Sequence, residues 1–355
     1  MLCVGFDGYV ITDDLKRLID RGIGAVILFR RNFQNALQVI QLCHAIKQYA
    51  RRAILIGVDQ EGGRVIRFGE PFSQTPSLRT IGKTGDIGHA KRIGEILGAE
   101  LRAAHIDINF APVMDVDTNP ANPVIGVRSF GNSAQRVSAM GVAMIEGLQS
   151  AGVAACAKHF PGHGDTSQDS HLDLPRLSHG MDRLMQVELQ PFFAAAKADV
   201  AAIMTSHVIF DAVDRILPAT MSRAIIHDIL RQQIGFDRVI VSDDLEMHAI
   251  SKHFPLEQVV EQTVNAGIDL ITICHSAEKQ NRAIDLLLHA VQSGRVKEEM
   301  IASANQRLDV LMDRFAQTAG ESAPVQIPPV IGCNEHRDFL RPFAEGGVGS
   351  DPTEK

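Results

Sequence analysis

Eight short apolar runs with β-type character alternate with longer stretches of helical period along most of this chain. The runs cover residues 2–6, 25–29, 54–58, 106–110, 153–157, 201–205, 238–241 and 270–274. Amphipathic segments occupy 35–51, 87–104, 134–149, 183–198, 222–233 and 256–265, with 278–291 and 298–315 after the last run. Continuous apolar runs of this length read as strands buried on both faces, and the helical stretches supply the layer that covers them. Eight such units predict an α/β fold, a TIM (β/α)₈ barrel with some long strand-to-helix loops. A doubly wound open sheet is the alternative. It normally carries G-x-G-x-x-G after its first strand, and none is present. Gly22, Gly152, Gly235 and Gly267 stand just ahead of a strand, where a left-handed helix terminus favours glycine. The barrel is expected to fill 1–316 as a single domain. Residues 317–355, rich in Gly, Pro and Ser, read as an irregular C-terminal tail too short for a second domain.

Bulk properties exclude several classes. A net charge of −7 argues against a nucleic-acid partner. No apolar run approaches the roughly 20 residues of a membrane span. The N-terminal MLCVGFDGYVITDD lacks the basic start of a signal peptide. Five widely spaced cysteines (Cys3, Cys43, Cys156, Cys274, Cys333) with no C-x-x-C pair argue against a disulfide framework and fit a reducing cytoplasm. With no Trp and only Tyr9 and Tyr49, polar contacts would have to fix any sugar.

The reactive residues concentrate at the ends of the apolar runs. Asp7, Asp59, Asp115, Lys158-His159, Ser206-His207, Ser242-Asp243-Asp244 and His275 all follow a run. In a barrel that rim forms the active site, and a hydrolytic site needs such clustered Asp and His. Residues 158–175, KHFPGHGDTSQDSHLDLP, hold three His, three Asp and a Lys in one loop punctuated by Pro161, Gly162 and Gly164. That punctuation predicts a mobile loop. Asp243 and Asp244 are adjacent on an extended chain, so only one is expected to face a substrate. Asp243 is favoured for the chemistry, and Asp244 for a helix cap or support. His159 and His163 have H-x-x-x-H spacing, but Pro161 and Gly162 break the helix a zinc site would use, leaving metal hydrolysis as a second hypothesis. In Asp169-Ser170-His171 the carboxylate can orient an imidazole that gives and takes a proton near neutral pH. Ser170 lacks a G-x-S-x-G elbow.

KHFPGHGDTSQDSH, with SDDLEM downstream and GVDQEGGRVIRF upstream, closely resembles the family 3 glycoside hydrolases, nearest to the NagZ-type β-N-acetylhexosaminidases of bacterial cell-wall recycling. The likeness runs from about Leu2 to about Phe315. It implies a TIM barrel and a retaining, two-step reaction without metal or cofactor. Asp243 matches the family's nucleophile, His171 its acid/base and Asp169 the partner of that histidine. The commoner retaining pattern uses two carboxyl groups. Asp59, Arg67, Arg128 (in GVRSF), Lys158 and His159 match sugar-binding positions. His207, Ser206, His163 and Asp115 are further candidates, and Gly62-Gly63 is read as a tight turn beside Asp59. Each sugar contact has a structural alternative: an Asp59–Arg67 ion pair, a loop cap for Arg128, a paired barrel-interior Lys158. The short tail favours the single-domain N-acetylglucosaminidases. The implied partner is a small carbohydrate, a muropeptide carrying N-acetylglucosamine on 1,6-anhydro-N-acetylmuramic acid, bound by a cytoplasmic monomer. Alternatives are a β-glucosidase, β-xylosidase or phosphorylase on the same fold, a non-catalytic sugar-binding barrel and a metal-dependent hydrolase.

Overall fold

Each of the eight apolar runs becomes one strand of a closed parallel barrel. The structure, a computed structural model, describes residues 1–168, 173–320, 322–344 and 351. The barrel strands are β1 (Leu2–Val4), β2 (Ala25–Leu28), β3 (Leu55–Val58), β4 (Ile108–Asn109), β5 (Ala154–Phe160), β7 (Ala202–Thr205), β9 (Val239–Asp244) and β10 (Leu270–Ile273). Two short strands, β6 (Arg176–Leu177) and β8 (Ile209–Phe210), pair beside it. The closed order is β1-β10-β9-β7-β5-β4-β3-β2, so every barrel strand lies beside its sequence neighbours and β1 seals against β10. Register is set by pairs such as Val26↔Ile56, Val58↔Asn109 and Cys3↔Thr272.

Side chains alternate across the barrel wall. On β2, Ala25 and Ile27 pack inside, whereas Val26 and Leu28 pack outward under the helices. The inner plug also takes Leu55, Phe110, Cys156 and Val241, and Leu308, Leu311 and Phe315 of the last barrel helix (Glu298–Phe315) close its base. Charged residues tie the strands at that base. Asp107 accepts from Ile56 N at 2.8 Å and pairs with Lys47 at 2.5 Å. Asp269 repeats the device with Ile240 N at 2.8 Å and Arg231 at 2.5 Å. The four glycines ahead of strands all have positive φ, between +76° and +112°.

Two barrel ladders slip by one residue, both near the mouth. From Ala157 to Phe160 β5 takes three steps while β7 takes two, and from Val241 to Asp244 β9 takes three while β10 takes two. An extra residue breaks strict alternation and re-aims side chains, a device common next to active sites. Here it falls on Lys158-His159 and on Ser242-Asp243.

The helices also depart from the sequence reading. A helix at Asp13–Asp20, with Thr12 Oγ1 accepting from Leu15 N at 3.2 Å, covers the β1–β2 step, where the pattern was too short to stand out. The expected 183–198 and 222–233 helices include π-type turns at Leu184–Glu188 and Ala224–Gln233. Beyond the barrel the chain forms a helix at Asn334–Leu340. Buried Glu100 clamps it by accepting from Ser73 N at 2.7 Å, Gly332 N at 3.0 Å and His336 Nδ1 at 2.7 Å. Among the described residues no helix is long and apolar enough to cross a membrane.

Candidate active site

The C-terminal mouth of the barrel holds a cavity of about 360 Å³. Ile27, Phe29 and Met204 give it apolar surface, and Asp59, Arg67, Arg128, Lys158, His159 and Asp243 give it polar surface. The sequence-predicted sugar contacts are therefore brought together, although they come from three separate segments of the chain.

One wall is a row of alternating charges. Asp59, just past β3, lies 3.5 Å from Arg67 Nη2 and 2.7 Å from Lys158 Nζ, which reaches across β4 from β5. Lys158 also meets Glu61 Oε1 at 2.6 Å. Glu61 holds Arg128 by two parallel bonds, Nε to Oε2 and Nη2 to Oε1, both 2.8 Å. At the other end Arg67 pairs with Asp351 of the C-terminal segment, whose side chain is 6 % exposed. Burial alone would raise the Glu61 carboxyl. Arg128 and Lys158 outweigh it and hold Glu61 well below the usual carboxylate range. Burial would likewise lower the Lys158 amine, but Asp59 and Glu61 keep it raised and charged. The ion pairs weighed as structural alternatives are thus present, and their members line the cavity as well. The turn that carries Glu61 is built on Gly62 (φ +105°) and Gly63 (φ +59°), where an added Cβ would strike Pro76 O at 2.6 Å and Ser77 Cα at 2.8 Å.

A second group comes from the end of β5 and from the segments that follow β4 and β5. Asp115, fully buried, accepts from His159 Nδ1 at 2.7 Å and from His163 N at 2.6 Å. This bond places the His159 proton on Nδ1 and leaves Nε2 3.5 Å from Arg128 Nη2. Asp115 supports from behind, whereas His159 and His163 line the cavity. His163 Nδ1 is engaged by Thr166 Oγ1 at 2.8 Å. Among the described residues no three His, Cys, Asp or Glu side chains are grouped to hold a metal ion.

Asp243 and Asp244 both line the cavity, where the sequence reading expected one. The bulge at the end of β9 is the reason. Their surroundings still separate them. Asp244 is tied down: Oδ1 accepts from Glu246 N at 3.1 Å and Cys274 N at 3.2 Å, and Oδ2 lies 3.3 Å from His275 Nε2. Its carbonyl accepts from His207 Nε2 at 2.9 Å. Asp243 Oδ1 accepts from Asp244 N at 2.8 Å. His207 and Ser206 are buried and not in the cavity wall; His207 anchors the strand end instead. Asp169 and His171 lie outside the described residues.

Burial pushes the His163 imidazole down to about 4 from an ordinary 6.5, although Asp115 acts to raise it. Between these pH values the unfolded chain binds a proton that the folded one does not, so stability falls as pH drops through that window. Burial would raise Asp115, but His159 outweighs it and holds it low. Its contribution, like that of Glu61, is complete above the ordinary carboxylate range and is lost as pH falls through the depressed value. The thermal midpoint is expected to decline steadily from pH 7 to pH 4, and less steeply over the upper part of that range in His163→Gln. Parallel curves for the two proteins would remove His163 as a cause.

Residues 12–311 match the glycosyl hydrolase family 3 N-terminal domain. The chain belongs to this family. It is 37% identical over 354 residues to β-hexosaminidase A of Pseudoalteromonas piscicida, a match that covers 91% of the chain and 58% of that protein. A family 3 β-N-acetylglucosaminidase structure from Paenibacillus sp. superposes with a TM-score of 0.93 at 42% identity, over 96% of the chain and 66% of its own. NagZ of Neisseria gonorrhoeae, in complex with N-trifluoroacetyl-D-glucosamine, superposes with a TM-score of 0.81 at 31% identity, over 97% of the chain and 98% of its own. The chain thus spans under two thirds of the length of the first two relatives.

Two members of the charged wall escape a sequence reading. Glu61 sits inside GVDQEGGRV, where an acid beside two glycines in a buried turn is a usable signal. Asp351 gave none, because it lies in a segment without periodicity.

Proposed function

We propose that this barrel is the catalytic unit of an exo-acting, retaining β-N-acetylglucosaminidase. The observation that carries the reading is Asp243, set on a bulged strand end in a cavity that also presents Asp59, Arg67, Arg128, Lys158 and His159. Hydroxyl groups of a sugar suit such a wall, since each carboxylate accepts and each cation donates. A cavity of about 360 Å³ lies near the small end for ligand sites and matches one terminal sugar rather than a long chain. The names of the relatives support the N-acetylhexosamine preference.

In this reading the wall holds the terminal N-acetylglucosamine with its anomeric carbon toward Asp243. The carboxylate attacks that carbon as His171, oriented by Asp169, protonates the leaving oxygen. The same imidazole then deprotonates water, which attacks the glycosyl-enzyme and releases the sugar with retained configuration. The pairings of Asp59, Lys158, Glu61 and Arg128 fix the wall before substrate arrives, so little ordering remains to be done on binding. The natural substrate is N-acetylglucosamine on 1,6-anhydro-N-acetylmuramic acid, with or without a stem peptide, met in the cytoplasm by a monomer.

The test is release of p-nitrophenol from its β-N-acetylglucosaminide and its β-glucoside, with and without EDTA. Turnover of the first alone, unchanged by EDTA, is the expected result. Faster cleavage of the glucoside would overturn the substrate, and loss of activity to EDTA would overturn the metal-free mechanism.

A further inference from the structure

Glu61 is a buried carboxylate that takes no chemical step in the reaction above. Its side chain is 1 % exposed and does not itself line the cavity, yet it touches two wall residues that do. It receives Lys158 Nζ at 2.6 Å and both the Nε and Nη2 of Arg128 at 2.8 Å. Lys158 is itself shared with Asp59 at 2.7 Å. Two cations brought this close in a site of low dielectric repel each other strongly unless an anion stands between them. The two parallel bonds to Arg128 also fix the plane of its guanidinium, which a single contact would leave free to turn.

We infer that Glu61 is a positioning residue of the glycosidase site, fixing where Arg128 and Lys158 meet the sugar without touching the sugar itself. This rests on the reading of the cavity as an N-acetylglucosamine site. The competing role is structural: Glu61 neutralises two buried cations, and its loss costs stability alone. The two roles differ in what they do to a protein that still folds. Shortening the side chain by one methylene keeps the charge but draws the carboxylate back by about 1 Å, and displacements on that scale cost up to about 100-fold where a site is built on orientation.

The experiment compares wild type, Glu61→Asp and Glu61→Gln in thermal unfolding, in steady-state hydrolysis of the p-nitrophenyl β-N-acetylglucosaminide and in calorimetric binding of free N-acetylglucosamine. In both variants KM and the dissociation constant for the free sugar are expected to rise about tenfold or more, with kcat within about threefold. That is the pattern of an interaction made equally in ground and transition states. Adding Arg128→Gln to Glu61→Gln is expected to cost much less than the two single losses combined, because one residue acts through the other. A folded Glu61→Asp protein with wild-type KM and sugar affinity overturns the inference. So does failure of both variants to fold, since that assigns Glu61 to stability. If wild type binds N-acetylglucosamine but turns over no glucosaminide, the hydrolase reading fails, while the binding data still decide the role of Glu61.

Discussion

Asp243→Asn is expected to lower kcat for the β-N-acetylglucosaminide by at least about 10³-fold, with the fold intact. The amide keeps the shape of the carboxylate, and its Oδ1 can still accept from Asp244 N, the bond that Asp243 makes at 2.8 Å. What it lacks is the negative charge that makes the oxygen nucleophilic enough to form the glycosyl ester. Loss of a residue that forms the covalent intermediate removes a whole step, and single losses of this kind reach 10⁴- to 10⁶-fold in well-dissected hydrolases. At about 1.4 kcal/mol per tenfold, the expected loss is about 4 kcal/mol of transition-state stabilisation or more. Steady-state kinetics beside a thermal melt checks it. Undiminished turnover by a folded Asp243→Asn protein would show that another group attacks the sugar. Asp244→Ala gives a contrasting result, because Asp244 orders the backbone of Glu246 and Cys274, so its loss shows as reduced stability together with reduced activity.

Lys158→Met has the largest expected effect on stability. Its ammonium lies between Asp59 and Glu61, and all three side chains are largely or wholly buried. Methionine fills the space but leaves two carboxylates facing each other with one fewer cation. Breaking a buried pair by removing one partner costs about 3–5 kcal/mol. The sign with pH follows from the charges. The Lys158 amine is raised in the folded protein, so its contribution is fully present below the ordinary lysine value and is lost as pH rises through the folded one. In the variant, protonating one of the facing carboxylates relieves the repulsion, so the stability deficit is expected to shrink between pH 7 and pH 5. Urea unfolding at both pH values measures it. An equal deficit at the two would mean that the loss comes from packing rather than charge.

The eight strands were legible because a strand buried on both faces must be a nearly continuous apolar run, and each run falls within a residue or two of its strand apart from the bulged ends. The helix Asp13–Asp20 was not, since two turns carry too few apolar positions to show a period, although Thr12-Asp13-Asp14 is an N-terminal signal in plain view. At the site, the residues that follow each strand could be read from topology alone. The joint exposure of Asp243 and Asp244 could not, because one extra residue against β10 depends on the partner strand as much as on β9. Glu61 was hidden by its setting, for a charged residue in a glycine-rich turn looks like solvent-facing loop until the two cations that bury it are seen. Asp169 and His171, the pair that the resemblance implies for the acid/base, lie outside the described residues.

The contact between Arg67 and Asp351 joins residues 284 positions apart and makes the charged wall even in number, three acids and three bases. A wall balanced in this way offers a ligand donors and acceptors at every step, and Asp243, Asp244 and Glu246, which line the same cavity, add negative charge to it. Cutting the chain after Ala344 would keep every strand and helix described above while removing the third acid of that wall. The shortened protein would then hold the buried Arg67 with one carboxylate fewer. The seating of a guanidinium that lines the cavity is thereby set partly in a segment that belongs to no barrel unit, and it can drift without any change to the barrel strands.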